Sequence, residues 1–490
     1  MQKKLKIVHI SSEVAPFSKT GGLADVARSL PKALRRLGHE VIIITPLYGK
    51  AIDKRAHKLK LLFKDVKIYL NSEDTETFNV WQGYLMEDLP VYLIENKKYF
   101  SRHKRLYGST HENARFMVFD IAALKLISLL KFQADIVHCH DWQSGLIPHY
   151  LKNDFRYSKT LKNARTLFTI HNLIFQFGHN WWEVPVERRD YGRSAIPHLS
   201  DPKLETINFA KRAILSADLI NTVSEQYREE IMTKKFGQDL HRILKNREDR
   251  LFGIINGIDY NAYNPEKDVG LRANYSWQDF SSAKHVNKRF LQAKLKLPVD
   301  GNTPMLCTTS RITFQKGFHL IFEVADALMK QDVQLAIMGD GGKDYLGVIK
   351  KLRKRYPKKI AWLPFSGNDK LETSFYAASD FFLLPSTHEP CGINQLIAMR
   401  YGSIPIVREI GGLYDTVSDY DPETGRGTGF TFRHDDGFQL FAAIIRALET
   451  FKYQKSLESL VRRAMRQSHS WEIPAKKYVK LYRRALRLDI

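Results

Sequence analysis

Short apolar runs alternate with amphipathic stretches along most of the chain. Apolar residues recur at three- and four-residue spacing over 23–37, which predicts a helix with one buried face. Apolar runs predict strands at 6–10, 41–45, 135–138, 166–170, 219–223, 253–255, 306–309, 334–338, 381–384 and 404–407. This alternation is typical of an α/β fold built on doubly wound parallel sheets.

The predicted strands fall into two sets, separated by a stretch with little strand pattern. Residues 261–297 are polar and aromatic, and we interpret them as the junction between two domains. We therefore predict a first domain over 1–265 and a second over 266–470. A helix is predicted within 471–490, after Pro474, and it can pack back on the first domain.

Polar and glycine-rich groups follow the predicted strands in both halves. In doubly wound sheets, ligands bind beyond the carboxyl ends of the strands. The sequence therefore predicts two such edges that face each other across one interdomain cleft. The groups are the loop at Lys19, His140-Asp141-Trp142, His171-Asn172, Asn256-Gly257, Arg311 with Lys316, Gly339–Gly342 and Ser386–Gly392.

Composition and charge narrow the class of protein. The 490 residues carry a formal charge of +23, but the basic side chains are dispersed, apart from a run at 350–359 that reads as the exposed end of a crossover helix. A small anionic substrate is therefore favoured over a nucleic acid. No apolar run approaches the roughly 20 residues of a membrane span, and the N-terminal apolar stretch is too short for a secretory signal. Three widely separated cysteines favour the reducing cytoplasm.

Two loops have the composition of anion sites. Gly21 and Gly22 precede the first predicted helix, where free backbone N–H groups favour an anion, and Lys19 adds a charge. Arg311 and Lys316 lie in a loop after a strand and suit phosphate binding. A flexible turn and an ordinary charged surface loop are the structural alternatives, and the two loops alone do not decide between them.

Glu389 and His171 are candidates for contacts with a neutral part of the ligand. Glu389 lies just before a helix predicted to begin near Gly392, and its carboxylate can accept hydrogen bonds from hydroxyl groups; the alternative is a helix cap. His171 ends one predicted strand, and His140-Asp141 ends another of the same sheet. These side chains can lie close together, with Asp141 orienting a histidine or a ligand hydroxyl, although a histidine at a strand end is often structural.

Taken in order, these segments resemble the bacterial and plant glycogen and starch synthases, which are retaining glucosyltransferases of the GT-B fold. The resemblance covers nearly the whole chain. It rests on Lys19-Thr20-Gly21-Gly22-Leu23-Ala24-Asp25-Val26, His140-Asp141-Trp142, His171-Asn172-Leu173, Thr222-Val223-Ser224, Asn256-Gly257-Ile258-Asp259, Asn287-Lys288, the 311–317 loop, Glu389-Pro390-Cys391-Gly392, Tyr401-Gly402, Gly411-Gly412-Leu413, Gly427-Thr428-Gly429-Phe430 and Ser470-Trp471-Glu472.

The resemblance implies two Rossmann-like domains, with the acceptor bound by the first and a nucleotide sugar by the second. It implies transfer of glucose from ADP-glucose to the non-reducing end of an α-1,4-glucan, with retention of configuration. The implied catalytic residues are His171, Glu389, Arg311 and Lys316. The implied substrate-binding residues are Lys19, Gly21, Gly22, Asp25, His140, Asp141, Asn172, Asn256, Cys391, Gly392, Ile393 and Asn394.

Several alternatives remain open at this point. The donor can instead be UDP-glucose, because the chain lacks the tyrosine that many relatives place beside the base; Phe365 and Tyr376 are the candidate substitutes. A GT-B enzyme with another acceptor, and a binding protein without turnover, are further hypotheses. A dehydrogenase is disfavoured because no GxGxxG motif occurs. Asp419-Tyr420-Asp421 resembles a metal-binding pair, but its polar surroundings favour a turn. We expect neither a metal nor a cofactor.

Overall fold

The computed structural model describes residues 3–70, 74–103, 105–368 and 371–488. They form two compact units. The first unit contains the chain up to Asn256 together with the segment that begins at Trp471, and the second unit is Gly257–Ser470. Asp489 and Ile490, at the end of the predicted C-terminal helix, lie outside the described residues.

The elements alternate along the chain as the apolar pattern predicts. The strands are β1 (Lys6–Ile10), β2 (Glu40–Pro46), β3 (Lys60–Tyr69), β4 (Thr75–Met86), β5 (Leu89–Glu95), β6 (Ile136–His140), β7 (Arg165–Ile170), β8 (Leu219–Thr222), β9 (Leu251–Gly253), β10 (Met305–Thr309), β11 (Gln334–Met338), β12 (Ile360–Leu363), β13 (Phe381–Leu384), β14 (Ile404–Arg408) and β15 (Phe430–Phe432). The α-helices are α1 (Gly22–Arg36), α2 (Glu112–Leu129), α3 (Ile147–Lys152), α4 (Phe209–Ser216), α5 (Glu225–Ile231), α6 (His241–Lys245), α7 (Phe280–Lys294), α8 (Phe318–Leu328), α9 (Lys343–Arg355), α10 (Glu372–Ala378), α11 (Asn394–Arg400), α12 (Gly411–Thr416), α13 (Gly437–Phe451), α14 (Gln454–Arg466) and α15 (Glu472–Ala485).

The first unit is built on a nine-stranded sheet in the order β3-β4-β5-β2-β1-β6-β7-β8-β9. From β5 to β9 every neighbouring pair is parallel. These strands are almost entirely buried, as expected for a sheet covered by helices on both faces. The predicted strands are present, although the one expected at 253–255 ends at Gly253 instead.

The antiparallel edge β3-β4-β5 was not predicted. In β3 most side chains are exposed, and lysines and an aspartate interrupt its apolar positions. The two-residue alternation that would mark a half-buried strand is therefore weak, and two register irregularities between β3 and β4 break it further.

The second unit contains a fully parallel six-stranded sheet in the order β12-β11-β10-β13-β14-β15. Four of these strands were predicted, whereas the short strands β12 and β15 were not. The basic run at 350–359 covers the end of α9 and the turn that follows it; α9 crosses from β11 to β12, and Ile349 is its one buried residue. It is therefore the solvated face of a crossover helix, as predicted.

The segment that we interpreted as a domain junction is an integral part of the second unit. Its helix α7 is held by Lys288, whose Nζ lies 2.7 Å from the carboxylate of Asp380, and by Lys284, whose Nζ donates to the backbone oxygens of Ala377 and Ser379 at 3.0 and 2.9 Å. Ile258 already donates its N–H to His469. The chain consequently divides after Asn256 rather than after residue 265.

Helix α15 belongs to the first unit, although it follows the second unit in the sequence. Tyr482 Oη lies 2.8 Å from Nδ1 of His138 in β6, and Asn221 of β8 donates to Tyr478 Oη at 3.0 Å. Arg165 of β7 donates to the backbone oxygen of Leu488 at 2.7 Å. None of the helices in the described ranges has both the length and the apolar character that crossing a membrane requires.

Candidate active site

The Lys19–Gly22 loop joins β1 to α1 at the carboxyl edge of the first sheet. Helix α1 begins at Gly22, and Val26, Leu30 and Leu34 bury one of its faces. Arg35 and Arg36 in its last turn interact favourably with the helix dipole. The Nζ atom of Lys19 lies 2.8 Å from the carboxylate of Asp25, and Lys19 is half exposed. This exposed pair can exchange partners readily, because surface ion pairs contribute little stability.

Nothing in the fold itself requires glycine at 21 or 22. Gly21 has an extended backbone with φ −157°, and a Cβ built on Gly22 would meet no atom within 4 Å. Both residues are exposed. Gly21 is the N-cap of α1, where glycine is favoured, and at both positions the open space leaves the backbone accessible to an external group.

Sequence reasoning missed Glu13, which anchors this loop from below. Its carboxylate is almost completely buried and accepts hydrogen bonds from the N–H and the hydroxyl of Thr20, at 2.7 and 2.8 Å. Burial raises the pKa of Glu13 to about 7, with Asp25 adding to the effect and the Thr20 hydrogen bonds opposing it. The available signal was an acidic residue three positions after a buried strand.

Four histidines gather at the ends of β1, β6 and β7. Parallel pairing sets His9 opposite His138, and the ring of His138 stacks on that of His140 with centroids 4.1 Å apart. His140 Nδ1 lies 3.0 Å from Nε2 of His171, which brings together the two histidines singled out in the sequence. His140 itself has no exposed surface, so its side chain is not accessible to a ligand, contrary to the predicted substrate contact.

Asp141 holds the backbone next to His171. Its Oδ1 accepts the N–H of His171 at 2.7 Å. The residue has φ 56° and ψ 178°, a conformation that is nearly confined to glycine and costs on the order of 1–3 kcal/mol. Burial raises the pKa of Asp141 to about 7, against the opposing hydrogen bonds from His171 and Asn172. The carboxyl group thus orients the histidine through its main chain.

Two asparagines complete the first unit's edge. Asn172 is partly exposed, and its Oδ1 accepts the N–H of Ile174 at 3.1 Å. Asn256 is 6% exposed, and its Oδ1 has no hydrogen-bond partner among the described residues. A buried amide oxygen without a donor is uncommon, and it is suited to accept a hydrogen bond from a ligand.

At the carboxyl edge of the second sheet, the 311–317 loop is locked by Gly317. This residue has φ 73°, and a Cβ there would lie 1.9 Å from the backbone oxygen of Pro385. Thr387 donates its N–H to Gln315 at 2.9 Å, so the loop and the 385–392 turn form one structure. Arg311 is exposed, and its side chain has no hydrogen bond or ion pair to any described residue.

Lys316 and Glu389 meet directly. The Nζ atom of Lys316 lies 2.5 Å from Oε2 of Glu389, and the hydroxyl of Ser386 donates to the same oxygen at 3.0 Å. Both side chains are largely buried. The sequence suggested different partners for the two residues, a phosphate for Lys316 and sugar hydroxyls for Glu389, and the structure joins them in one ion pair. The pair holds each charged group in a defined position beside the other.

The remaining predicted residues of the second unit follow Glu389 in the chain. Cys391 is buried, Gly392 has φ 69°, and Ile393 directly precedes α11, which begins at Asn394. The side chain of Asn394 donates to the backbone oxygen of Thr309 in β10 at 2.6 Å, which ties the start of α11 to the sheet edge.

Tyr376 does not fit the place suggested for it. It is fully buried, its hydroxyl lies 2.8 Å from that of Thr309, and its ring stacks on Phe382. A core residue of this kind cannot stack on a nucleotide base. Phe365 is partly exposed and remains the only one of the two candidates with accessible surface. The neighbouring Asp369 lies outside the described residues.

The Asp419–Asp421 pair and one group of histidines contain residue types that can bind metals. Asp419 is engaged by Arg446 at 2.7 Å and by the N–H of Thr431 at 2.8 Å, while Asp421 caps its own turn through Thr424. Asp419 thus precedes the turn at 422–425 and Asp421 leads directly into it, which agrees with the predicted turn. Within the described ranges, His9, His138 and His140 are the one group whose ligand atoms lie close enough for a metal, within 4.8 Å. Both ring nitrogens of His138 already have partners, Tyr482 and Thr169.

Comparison with known proteins assigns the chain to a family. The starch synthase catalytic domain matches residues 6–246, and the glycosyl transferases group 1 domain matches 289–464. The glycogen synthase of Thermosipho africanus is 37% identical over 98% of this chain and 99% of its own. That of Desulforudis audaxviator is 39% identical, with coverages of 99% and 97%. This chain belongs to the glycogen synthase family.

Solved structures agree with this assignment. The catalytic domain of starch synthase IV from Arabidopsis thaliana, bound to ADP and acarbose, has a TM-score of 0.87 and 32% identity over 99% of this chain and 100% of its own. A sucrose-phosphate synthase from Thermosynechococcus elongatus, at 18% identity and a TM-score of 0.62, shares the fold. The predicted GT-B architecture is confirmed, and the chain is a glucosyltransferase.

Proposed function

We propose that this enzyme transfers glucose from ADP-glucose to the non-reducing end of an α-1,4-glucan, with retention of configuration. The observation that carries the proposal is the likeness, along the full chain, to a starch synthase catalytic domain solved with ADP and acarbose. The glycogen synthases that match the whole chain support the glucan as acceptor.

The cations at the two sheet edges suit a leaving diphosphate. Negative charge develops on the departing phosphate in the transition state, and preorganised cations and backbone N–H groups stabilise it. Arg311 and Lys316 supply charge in the second unit, and Lys19 supplies it in the first. The backbone N–H groups of Gly21, Gly22, Ile393 and Asn394 are the proposed amide donors.

Hydrogen-bonding groups at the two sheet edges suit the transferred glucose. Glu389 accepts hydrogen bonds from sugar hydroxyls, and the backbone at Cys391 and Gly392 adds contacts. His171 lies beside the glucose and acts by positioning it. Asp25, Asn172 and Asn256 are proposed to contact sugar or acceptor, whereas His140 and Asp141 act through His171, to which both are hydrogen bonded.

The identity of the donor base, adenine or uracil, is a separate part of the proposal. ADP-glucose is favoured by the bound ADP of the starch synthase relative, and UDP-glucose is the competing donor, because Tyr376 is a core residue. Purified enzyme incubated with glycogen and either labelled donor should incorporate glucose into the glucan, faster from ADP-glucose. Failure to incorporate from both donors contradicts the synthase proposal, and a preference for UDP-glucose contradicts only the donor.

We further propose that the reaction needs no metal and takes place in the cytoplasm. The carboxylate of Asp419 is bound by Arg446 and that of Asp421 by Thr424. Cys139, Cys307 and Cys391 are all buried free thiols, which suits a reducing compartment. A chelator should leave the activity unchanged. Strong inhibition would redirect attention to the group formed by His9, His138 and His140.

A further inference from the structure

Three histidines form an unbroken chain of ring contacts that ends at His171. Nδ1 of His9 lies 3.0 Å from Nε2 of His140, and Nδ1 of His140 lies 3.0 Å from Nε2 of His171. The three rings come from the adjacent strands β1 and β6 and the end of β7. Both ring nitrogens of His140 are therefore hydrogen bonded, and the tautomer of each ring determines that of its neighbour.

Burial keeps the three rings neutral. His9 and His140 have no exposed surface, and His171 is only partly exposed. Loss of hydration lowers the pKa of His9 and of His171 to about 3, and it holds the pKa of His140 well below its usual value. A neutral imidazole has one N–H donor and one acceptor nitrogen, so the three N–H groups must all point the same way along the chain.

His9, at the far end of the row of three histidines, determines the direction of the N–H groups. Nε2 of His9 is buried and has no hydrogen-bond partner among the residues that the structure describes. If the N–H groups pointed away from His171, this atom would be a buried donor without an acceptor, which is rarer in proteins than an unpaired acceptor. The favoured arrangement has His9 Nδ1–H donating to His140, and His140 Nδ1–H donating to Nε2 of His171.

We propose that His9 and His140 hold His171 in the tautomer that carries its proton on Nδ1. This inference rests on the proposed function, in which His171 lies beside the transferred glucose. A neutral ring fixed in this way offers an N–H donor to a sugar oxygen, and Nδ1 cannot accept a proton. His171 therefore orients the substrate and does not act as a general base, and His9 and His140 are positioning residues.

The side chains next to the three histidines do not compete for their hydrogen bonds. The nitrogens of His138 contact Tyr482 and Thr169, so this ring stacks on the chain without hydrogen bonding to it. Asp141 binds the backbone N–H of His171. A metal ion on His9 and His140 would take the nitrogens that link the rings.

Nitrogen-15 NMR of the histidine-labelled full chain tests the proposal directly. Long-range nitrogen–proton spectra distinguish the two neutral tautomers, and at neutral pH we expect the Nδ1–H form at His171. A His171 signal of the Nε2–H form in the unaltered protein overturns the proposal. So does one bound metal ion per chain that is lost in a His9 variant.

Variants of His9 separate positioning from folding. His9→Asp replaces the donor at Nδ1 by a carboxylate, which only accepts when it is ionised, so the N–H groups should reverse and His171 should take the Nε2–H form. We expect kcat to fall about tenfold to a hundredfold, with the donor KM nearly unchanged. His9→Asn places an amide donor near the Nδ1 position and should keep the Nδ1–H form at His171. An unchanged tautomer in His9→Asp contradicts the proposal.

Tyr482→Phe is the matched control. It removes a buried hydrogen bond to His138 from the same cluster and leaves the chain intact, so the melting temperature should fall while the His171 tautomer and kcat stay as they were. The NMR result does not depend on turnover. A protein with the expected tautomer and no glucosyl transfer would contradict the proposed function alone.

Discussion

Single side chains at the two sheet edges determine which charges are available to a ligand. Lys316 is held by Glu389, whereas Arg311 is exposed and unpaired among the described residues. The sequence identified all three residues as candidates because each follows a strand. It could not indicate that two of them pair with each other, because their contact joins residues 73 positions apart.

Lys316→Ala should lower kcat by about a hundredfold to a thousandfold, because its charge is needed most when the diphosphate leaves. Donor affinity should fall by a smaller factor. Steady-state kinetics with glycogen and ADP-glucose measure both quantities. Lys330→Ala, which removes an exposed lysine from the same unit, is the control and should leave both unchanged. A near-normal kcat for Lys316→Ala contradicts its phosphate role.

Glu13 gives the first unit a pH-dependent stability. The folded pKa of about 7 lies above the ordinary value of 4.5, so the contribution of this carboxyl is complete below pH 4.5 and disappears as the pH rises through 7. The free energy of unfolding of Glu13→Gln, relative to that of wild type, should therefore rise by up to about 3 kcal/mol between pH 4.5 and 8.

Melting temperatures at pH 5, 6.5 and 8 measure the effect of Glu13, as the difference between variant and wild type. Glu87→Gln, on the exposed turn between β4 and β5, is the matched control. A difference for Glu13→Gln that does not change with pH would contradict the raised pKa.

At the scale of elements, the sequence predicts the buried strands, whose apolar residues form a recognisable pattern. The parallel strands β1, β6, β7, β10, β11 and β13 were found because each contains at least three buried apolar residues within a short run. The hairpin β3–β4 escaped because its outer strand is exposed and charged. His138 and His140 lie two residues apart on one face of β6, and this spacing was the available signal for the histidine cluster. The partner strand that brings His9 to it is fixed only by the fold.

Gly317→Ala should destabilise the second unit by about 2 kcal/mol or more, because the backbone has a positive φ and the new methyl group would overlap the oxygen of Pro385. The loop that carries Arg311 and Lys316 must then shift, so kcat should also fall. Urea unfolding and the glucosyl transfer assay measure the two effects.

Gly342→Ala is the control for this prediction, since a Cβ there meets nothing within 4 Å. Its stability should stay within about 1 kcal/mol of wild type. Equal behaviour of the two variants would mean that the contact with Pro385 does not constrain the loop.

At the scale of the whole molecule, helix α15 makes the first unit discontinuous in sequence. A chain that stops after Ser470 should lose the hydrogen bonds to His138 and Asn221. Hydrogen exchange measured by mass spectrometry should then accelerate in β6, β7 and β8, and peptides of the second unit should keep their protection. Unchanged exchange in β6–β8 would show that α15 is dispensable to the first unit.

The same helix has a consequence for biosynthesis. The ribosome makes residues 257–470, the whole second unit, between the body of the first unit and the helix that completes it. At about 5–20 residues per second this takes roughly 10 to 40 s. During that interval the nascent first unit lacks α15, and the sheet surface that Tyr478, Leu481 and Tyr482 bury in the finished protein is open to chaperones. The cell therefore makes the whole second unit before the first unit can reach its final form.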